Sequence, residues 1–539
     1  MAAEAASQGR VERNILADLT KYFPSNLLPG AGYLVGIFVF TRWFVPASYG
    51  WLVLASAAVT PVIGLSTQWI LRPAMRYYAE YQRAGQGVAY TAALASFTAW
   101  MCLLAVLASA LAAIPLALSG WLSAHAVLAS GEFAFVIGSV PNTVALSVLR
   151  SGLRAGMFFA LSAIAEVVAI GFPLLMVRTV SHDIGWLAWG QALAVLVVLP
   201  YVLRTTGLTP GSIRIRFTQT QREVLIRFVR YGGPMAVWYV GASLLTVEGR
   251  YVLQLFRGSR DLAVYGVNFD FITAVAAVLN GTIVLGFGPA LFHHWAQGGR
   301  AEVTRAISDA TDLYLMLGLA FVGGVLVVGP YVESVLIGPK YRVGVEFLVP
   351  AAVAMVFFGL SLIGHKCLEL GEGTGAIASS AIWAGLLNLA LNLVFVPFYG
   401  YEASVCVAAV SYGLYTAFIW LQARSLAASP NSTRSVWGFP LGRGVVPGAL
   451  KGRTIVLGAG VMAEQGPSTG ATVPWVFRMS GLGRALVAAA VSSYAGLAIL
   501  RTVDGGPLEK LVVGVGAYVI VWAMACGALG FMPLAGRAG

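Results

Sequence analysis

At 539 residues, 58% hydrophobic and only 10% charged, the chain has a mean hydropathy of +0.81 and more apolar surface than a soluble domain can hide. That composition excludes a soluble enzyme or nucleic-acid-binding module and defines a polytopic membrane protein. The net charge of +12 therefore reports membrane topology and contact with anionic lipid, not nucleic acid.

The first twenty-three residues mix Glu4, Glu12 and Asp18 with Arg10, Arg13 and Lys21 and lack the apolar core of a cleavable signal peptide. Residues 1–23 read as a cytoplasmic segment, with 11–23 an interfacial helix. Apolar runs of about twenty residues then recur to the end of the chain. They predict an all-α fold of about fourteen transmembrane helices, centred near Ile37, Ala58, Ala99, Val136, Val167, Leu196, Ser243, Ala276, Gly318, Met355, Ala384, Val410, Val491 and Val521. Twelve or thirteen also fit, because residues 92–118 and 262–292 divide in more than one way.

The helices group as six, six and two. Residues 24–206 form an N-lobe of helices 1–6, and 207–230 a basic cytoplasmic linker. Residues 231–424 form a C-lobe of helices 7–12, 425–480 a Gly/Pro-rich flexible cytoplasmic loop, and 481–539 the last two helices and a short tail. With both termini inside, the cytoplasmic segments hold 25 of the 34 Lys and Arg residues, as the positive-inside rule demands. External loops are short and leave no room for a catalytic domain. No Walker lysine motif appears, and Gly371-Glu372-Gly373-Thr374-Gly375 reads as a tight turn between spans. Cys102, Cys367, Cys406 and Cys526 lack metal or redox spacing, and the sequon at Asn431 falls on the cytoplasmic side. His293 and His294 read as interfacial.

A step of 216 residues carries Tyr49-Gly50 onto Tyr265-Gly266 and Pro73-Ala74 onto Pro289-Ala290. Ala58, Val59 and Val62 meet Ala274, Val275 and Val278 in the same register. The charge bias gives both copies one orientation, so the lobes are expected to be parallel repeats facing each other, as in alternating-access transporters.

Ionisable groups within apolar spans mark functional sites. Tyr239, Ser243, Thr246 and Arg250 form one helical stripe, on which Arg250 either meets an anionic ligand, pairs with a carboxylate or snorkels outward. Glu248 faces the opposite side and is expected to bind another helix. Asp270 heads a stripe with Thr273 and Asn280, Glu132 one with Ser139 and Thr143, and Glu166 follows Ser162 by a turn. Each carboxylate either lines a central cavity and takes up a proton or ties helices together. Ser56, Thr60 and Thr67, and Asn388 with Asn392, read as packing contacts.

Four stretches carry a family resemblance. Residues 225–250 with Ala263-Val264-Tyr265-Gly266, the segment from Gly329-Pro330 to Tyr341, Asn388 to Ser404, and Phe44-Val45-Pro46-Ala47-Ser48-Tyr49-Gly50 together resemble the Wzx-type oligosaccharide flippases of the multidrug/oligosaccharidyl-lipid/polysaccharide (MOP) exporter superfamily. The likeness covers about 18–421 and departs at Glu248-Gly249-Arg250, where the family often has adjacent Asp-Arg. It implies a transporter of the bacterial inner membrane rather than an enzyme. Its cargo would be an undecaprenyl-pyrophosphate-linked oligosaccharide bound for surface polysaccharide, O-antigen or exopolysaccharide. Arg250, Asp270, Glu132, Glu166 and Glu248 would line the translocation cavity. No cofactor is implied beyond proton or sodium coupling, and partners would include a polysaccharide polymerase and export proteins. A drug or cation exporter of the same fold and a membrane-embedded polymerase are the rival readings.

Overall fold

The structure, a computed structural model, describes residues 32–428 and 474–529 apart from 119, 152–154, 215, 297–299, 371–372 and 477. The predicted interfacial helix at 11–23, the sequon and the side chains of His293 and His294 lie outside the described residues.

In chain order the helices are α1 (32–43), α2 (Pro46–Arg83), α3 (Gly87–Leu118), the single turn α4 (Trp121–Ala124), α5 (Ala126–Ser151), α6 (Ala155–Thr179) and α7 (Gly185–Thr206). A linker leads to α8 (Gln219–Thr246), α9 (Glu248–Arg257), α10 (Ser259–Ala296), α11 (Arg300–Leu336), α12 (Val345–Leu370) and α13 (Thr374–Ala428), and then to α14 (Met479–Arg501) and α15 (Pro507–Ala528). There is no strand among the described residues. In hydrocarbon every backbone polar group must be satisfied by the protein itself, and a helix does so within one apolar run of about twenty residues.

Each of the fourteen predicted centres falls in one of these helices. Eleven described helices are long and apolar enough to cross a membrane. One of them, α13, is two crossings joined at Gly400, whose φ of 63° is open to glycine and would strain other residues. A side chain there would also meet Arg257 and Asp261, which bridge each other at 3.1 Å. The α7 C-terminus is closed by left-handed Gly207, and α8 opens on a capping box in which Thr218 and Gln221 bond reciprocally.

The chain forms two like lobes, α1–α7 and α8–α13, with α14 and α15 outside them. The 216-residue repeat lands on α2 and α10, both 38 residues long and in direct contact. Gly50 abuts the Ser259 carbonyl, and Gly266 abuts Val53 at 2.6 Å from where its Cβ would be. The repeated Tyr-Gly step is thus the seam itself: the missing side chains let the two central helices close on each other. Gly64 under Tyr239 and Gly232 against the Trp69 carbonyl extend the seam between α2 and α8.

Both ends of the seam are fastened. At the end that the charge bias assigns to the outside, Arg42 donates to the carbonyls of Leu336 (2.9 Å) and Val335 (2.7 Å), capping α11 from the other lobe. The Gly338 N–H donates to Thr41 Oγ1 (2.9 Å), and the Tyr341 hydroxyl donates to the Phe44 carbonyl (3.0 Å). His182 stacks on Phe44 with ring centroids 5.0 Å apart. At the inner end, Arg227 meets Glu80 at 2.6 Å between the rings of Tyr77 and Tyr81. That bridge is half exposed and contributes under about 1 kcal/mol. The outer latch is the stronger, with four hydrogen bonds of roughly 1 kcal/mol each.

Gly338 sits so close to the Thr41 carbonyl that a Cβ has no room. Gly338→Val is therefore expected to push the latch open while leaving both lobes folded. A cysteine at Phe44 should then react with an external thiol reagent several-fold faster than in the unaltered latch, and equal labelling rates would refute this account.

The last two helices dock on α11. Tyr518 donates to the Ala320 carbonyl (2.8 Å) and covers Gly323, while Gly496 and Gly514 receive Val327 and Val328. The described end of the 425–480 stretch, residues 474–476, is anchored in the C-lobe. Trp475 is fully buried, donates from Nε1 to Thr311 Oγ1 (3.0 Å) and packs on Gly364 and Ile419. Arg478 then grips Asp309 (2.7 Å) and Asp312 (3.2 Å) as α14 begins.

Candidate functional site

The stripe predicted from Tyr239 to Arg250 is interrupted at Val247, where α8 stops and α9 starts one residue later. The interruption presents Glu248 to α13. Glu248 is 5% exposed, and its Oε1 accepts from the amides of Asn388 and, at 3.0 Å, Asn392. Asn388 also donates to the Leu245 carbonyl (3.1 Å), fixing the broken end of α8. Three buried oxygens remain without a partner: Glu248 Oε2, Asn392 Oδ1 and Ser404 Oγ. The Tyr265 hydroxyl lies beside Ser404, yet no hydrogen bond of good geometry reaches its Oγ. Ser404 Oγ and Asn392 Oδ1 lie 2.9 and 3.8 Å from where a Cβ on Gly249 would be. Any side chain at Gly249 would fill this cradle. Carboxylate, amide and hydroxyl oxygens form a donor set suited to a hard cation.

Two residues on, Arg250 bonds Asp270 of α10. The pair is mostly buried, with side-chain exposures of 15% and 28%, and Arg250 Nε has no partner. Tyr33 of α1 reaches Asp270 from the other lobe, and Tyr49, Tyr265 and Tyr412 lie within the pair's field. Tyr251 donates across the seam to the Ala57 carbonyl (3.0 Å). Arg250 therefore adopts the carboxylate-paired arrangement among the alternatives the sequence leaves open, at the junction of the two lobes. Glu248 faces the opposite side, onto another helix.

The other two carboxylates stand apart from this pair. Glu132 on α5 accepts from Ser56 of α2 (2.9 Å), between two N-lobe helices. Glu166 on α6 lies against Gly32 of α1, its Oε2 3.0 Å from the Cβ position. The five predicted site residues thus have four different sets of partners: Glu248 on α13, Arg250 and Asp270 on each other, Glu132 on α2 and Glu166 beside α1. Under the 216-residue step Gly32 corresponds to Glu248. The helices that correspond under this step, α1 and α9, thus each have a carboxylate at the equivalent position, Glu248 on α9 itself and Glu166 donated to α1 by the facing α6. Asn280 accepts from Tyr314 of α11 (2.6 Å), an interhelical tie.

Ser56, Asn388 and Asn392 were read individually as packing residues, Ser404 entered only as the end of a family-like stretch, and Tyr33 carried no signal. Only the four-residue spacing of Asn388 and Asn392 on one helical face pointed to a shared partner. Among the described residues no cluster of three or more His, Cys, Asp or Glu side chains forms a metal centre.

No family model and no curated relative matches the sequence. Solved structures do match the fold. A lipid II flippase MurJ in an inward closed conformation superposes with a TM-score of 0.65 at 11% identity, covering 95% of this chain and 98% of that one. An inward-facing multidrug resistance MATE family transporter of the MOP superfamily superposes with a TM-score of 0.52 at 14% identity, over 76% of this chain and 94% of that one. The chain therefore has the two-lobed, polytopic fold of these two transporters.

Proposed function

We propose that this protein is a lipid-linked oligosaccharide flippase that carries undecaprenyl-pyrophosphate-linked repeat units across the bacterial inner membrane by alternating access. Arg250 carries this reading. It is a guanidinium held at the seam of the lobes by Asp270, with Nε uncommitted, and a planar fork of donors suits a pyrophosphate better than a drug cation. An arriving pyrophosphate replaces Asp270 as the partner of Arg250. Release of Asp270 and Tyr33 then loosens the seam, so that cargo binding and lobe movement are one event. The sugar headgroup travels between the lobes while the lipid tail stays in the bilayer, because unaided passage would strip the headgroup of its water.

The cradle at Glu248 supplies the coupling site in this reading, taking a sodium ion or a proton. Loss of the gene is expected to trap lipid-linked repeat units on the cytoplasmic leaflet. Purified protein in sealed proteoliposomes should move a pyrophosphate-linked oligosaccharide between leaflets. Normal surface polysaccharide in a deletion strain without a paralogue would refute the proposal, and drug sensitivity with unaltered polysaccharide would favour the exporter reading instead.

A further inference from the structure

A cavity of about 510 Å³ lies at the inner end of the N-lobe, away from the seam site, between the α2–α3 turn and the linker that joins the lobes. Gly85, Val88, Thr91, Gly207, Ser212 and Arg214 line it, and no carboxylate does. We propose that this cavity binds the phosphate of an anionic phospholipid from the cytoplasmic leaflet, and that the bound lipid holds the inter-lobe linker against α3.

Four observations carry the assignment. The cavity is preformed: the Arg214 N–H donates to Ser96 Oγ of α3 (2.8 Å), and Ser212 Oγ donates to the Gly207 carbonyl (2.8 Å). Gly85 and Gly207 both have positive φ, near 70° and 75°, so its floor is backbone that side chains are disfavoured from covering. Arg214 Nη1 is spent on the Gly211 and Ile213 carbonyls, which orients the guanidinium and leaves Nη2 and Nε for a ligand. Arg83, Arg204 and Arg216 flank the cavity in sequence, and none of these four arginines is in an ion pair among the described residues. The adjacent carboxylate, Glu80, is already taken by Arg227. A basic recess at the cytoplasmic headgroup level, with no competing acid, is the chemistry that captures lipid phosphate.

The test uses the full chain in nanodiscs of phosphatidylcholine doped with phosphatidylglycerol, and native mass spectrometry reads the retained lipid. Arg214→Gln is expected to lower phosphatidylglycerol retention about five-fold. Val88→Glu, at an exposed lining position with no bonds to lose, should lower it at least as much. Wild-type retention in both variants overturns the proposal. Loss in Arg214→Gln alone overturns it too, since Arg214 would then act only by shaping the loop. Displacement of phosphatidylglycerol by excess inorganic phosphate would assign the cavity to a free anion instead of a lipid.

Discussion

Arg250→Ala is expected to abolish translocation and to lower stability by about 3 kcal/mol, because it strands the Asp270 carboxylate in a mostly buried site. Stability alone does not separate a cargo contact from a structural tie, so the informative protein is Arg250→Leu with Asp270→Leu. Replacing both members of a buried pair by apolar residues of similar size is often neutral or better for folding. The double variant should therefore regain the wild-type unfolding midpoint, read in detergent by intrinsic fluorescence, yet still fail to move a pyrophosphate-linked oligosaccharide in proteoliposomes. Wild-type transport by the double variant would show that the pair only fastens the seam. Asp270→Asn tests the exchange step from the other side. It keeps the volume but weakens the hold on Arg250, so cargo should bind more tightly and be released more slowly. That raises the apparent affinity and lowers the turnover together.

The helices were legible because membrane insertion imposes one long, local signal: about twenty apolar residues per crossing. The Tyr-Gly repeat marked the helices that meet at the seam. What could not be read was which polar residues share a partner. Glu248 and Asn392 are separated by 144 positions, and nothing local distinguishes an asparagine that ties helices together from one that holds a carboxylate. The break at Val247 was hidden for a related reason. Polar residues follow Val247 at once, but the helical stripe from Tyr239 to Arg250 keeps its spacing through the break, and no proline or glycine stands at Val247 itself. Glu132 and Ser56 show the same limit. Both lie on helical stripes, but periodicity orients a residue only around its own axis and does not say that these two faces meet. Arg250 was legible in part: pairing with a carboxylate was one of the alternatives its place in hydrocarbon left open, but nothing in the sequence named Asp270 as the partner.

Glu248→Gln should uncouple transport from its driving ion while leaving the fold nearly intact. The amide has the volume of the carboxylate and keeps an oxygen for the Asn388 and Asn392 donors, so the interhelical tie survives. What disappears is the negative charge facing Asn392 Oδ1 and Ser404 Oγ, and with it the affinity of the cradle for a cation. Glu248→Ala goes further and strands two buried amide donors, at a cost of about 1–3 kcal/mol each. It should lower the unfolding midpoint as well as transport. Proteoliposomes with imposed sodium or proton gradients separate the ions. If sodium is the coupling ion, wild-type transport follows the sodium gradient at constant pH and Ser404→Ala weakens the dependence several-fold. If a proton is, Ser404→Ala changes little, because a protonated Glu248 makes its own O–H bond and needs no ring of oxygens. A Glu248→Gln protein that still follows either gradient with wild-type steepness would remove Glu248 from coupling and leave it as the residue that seats the broken helix on α13.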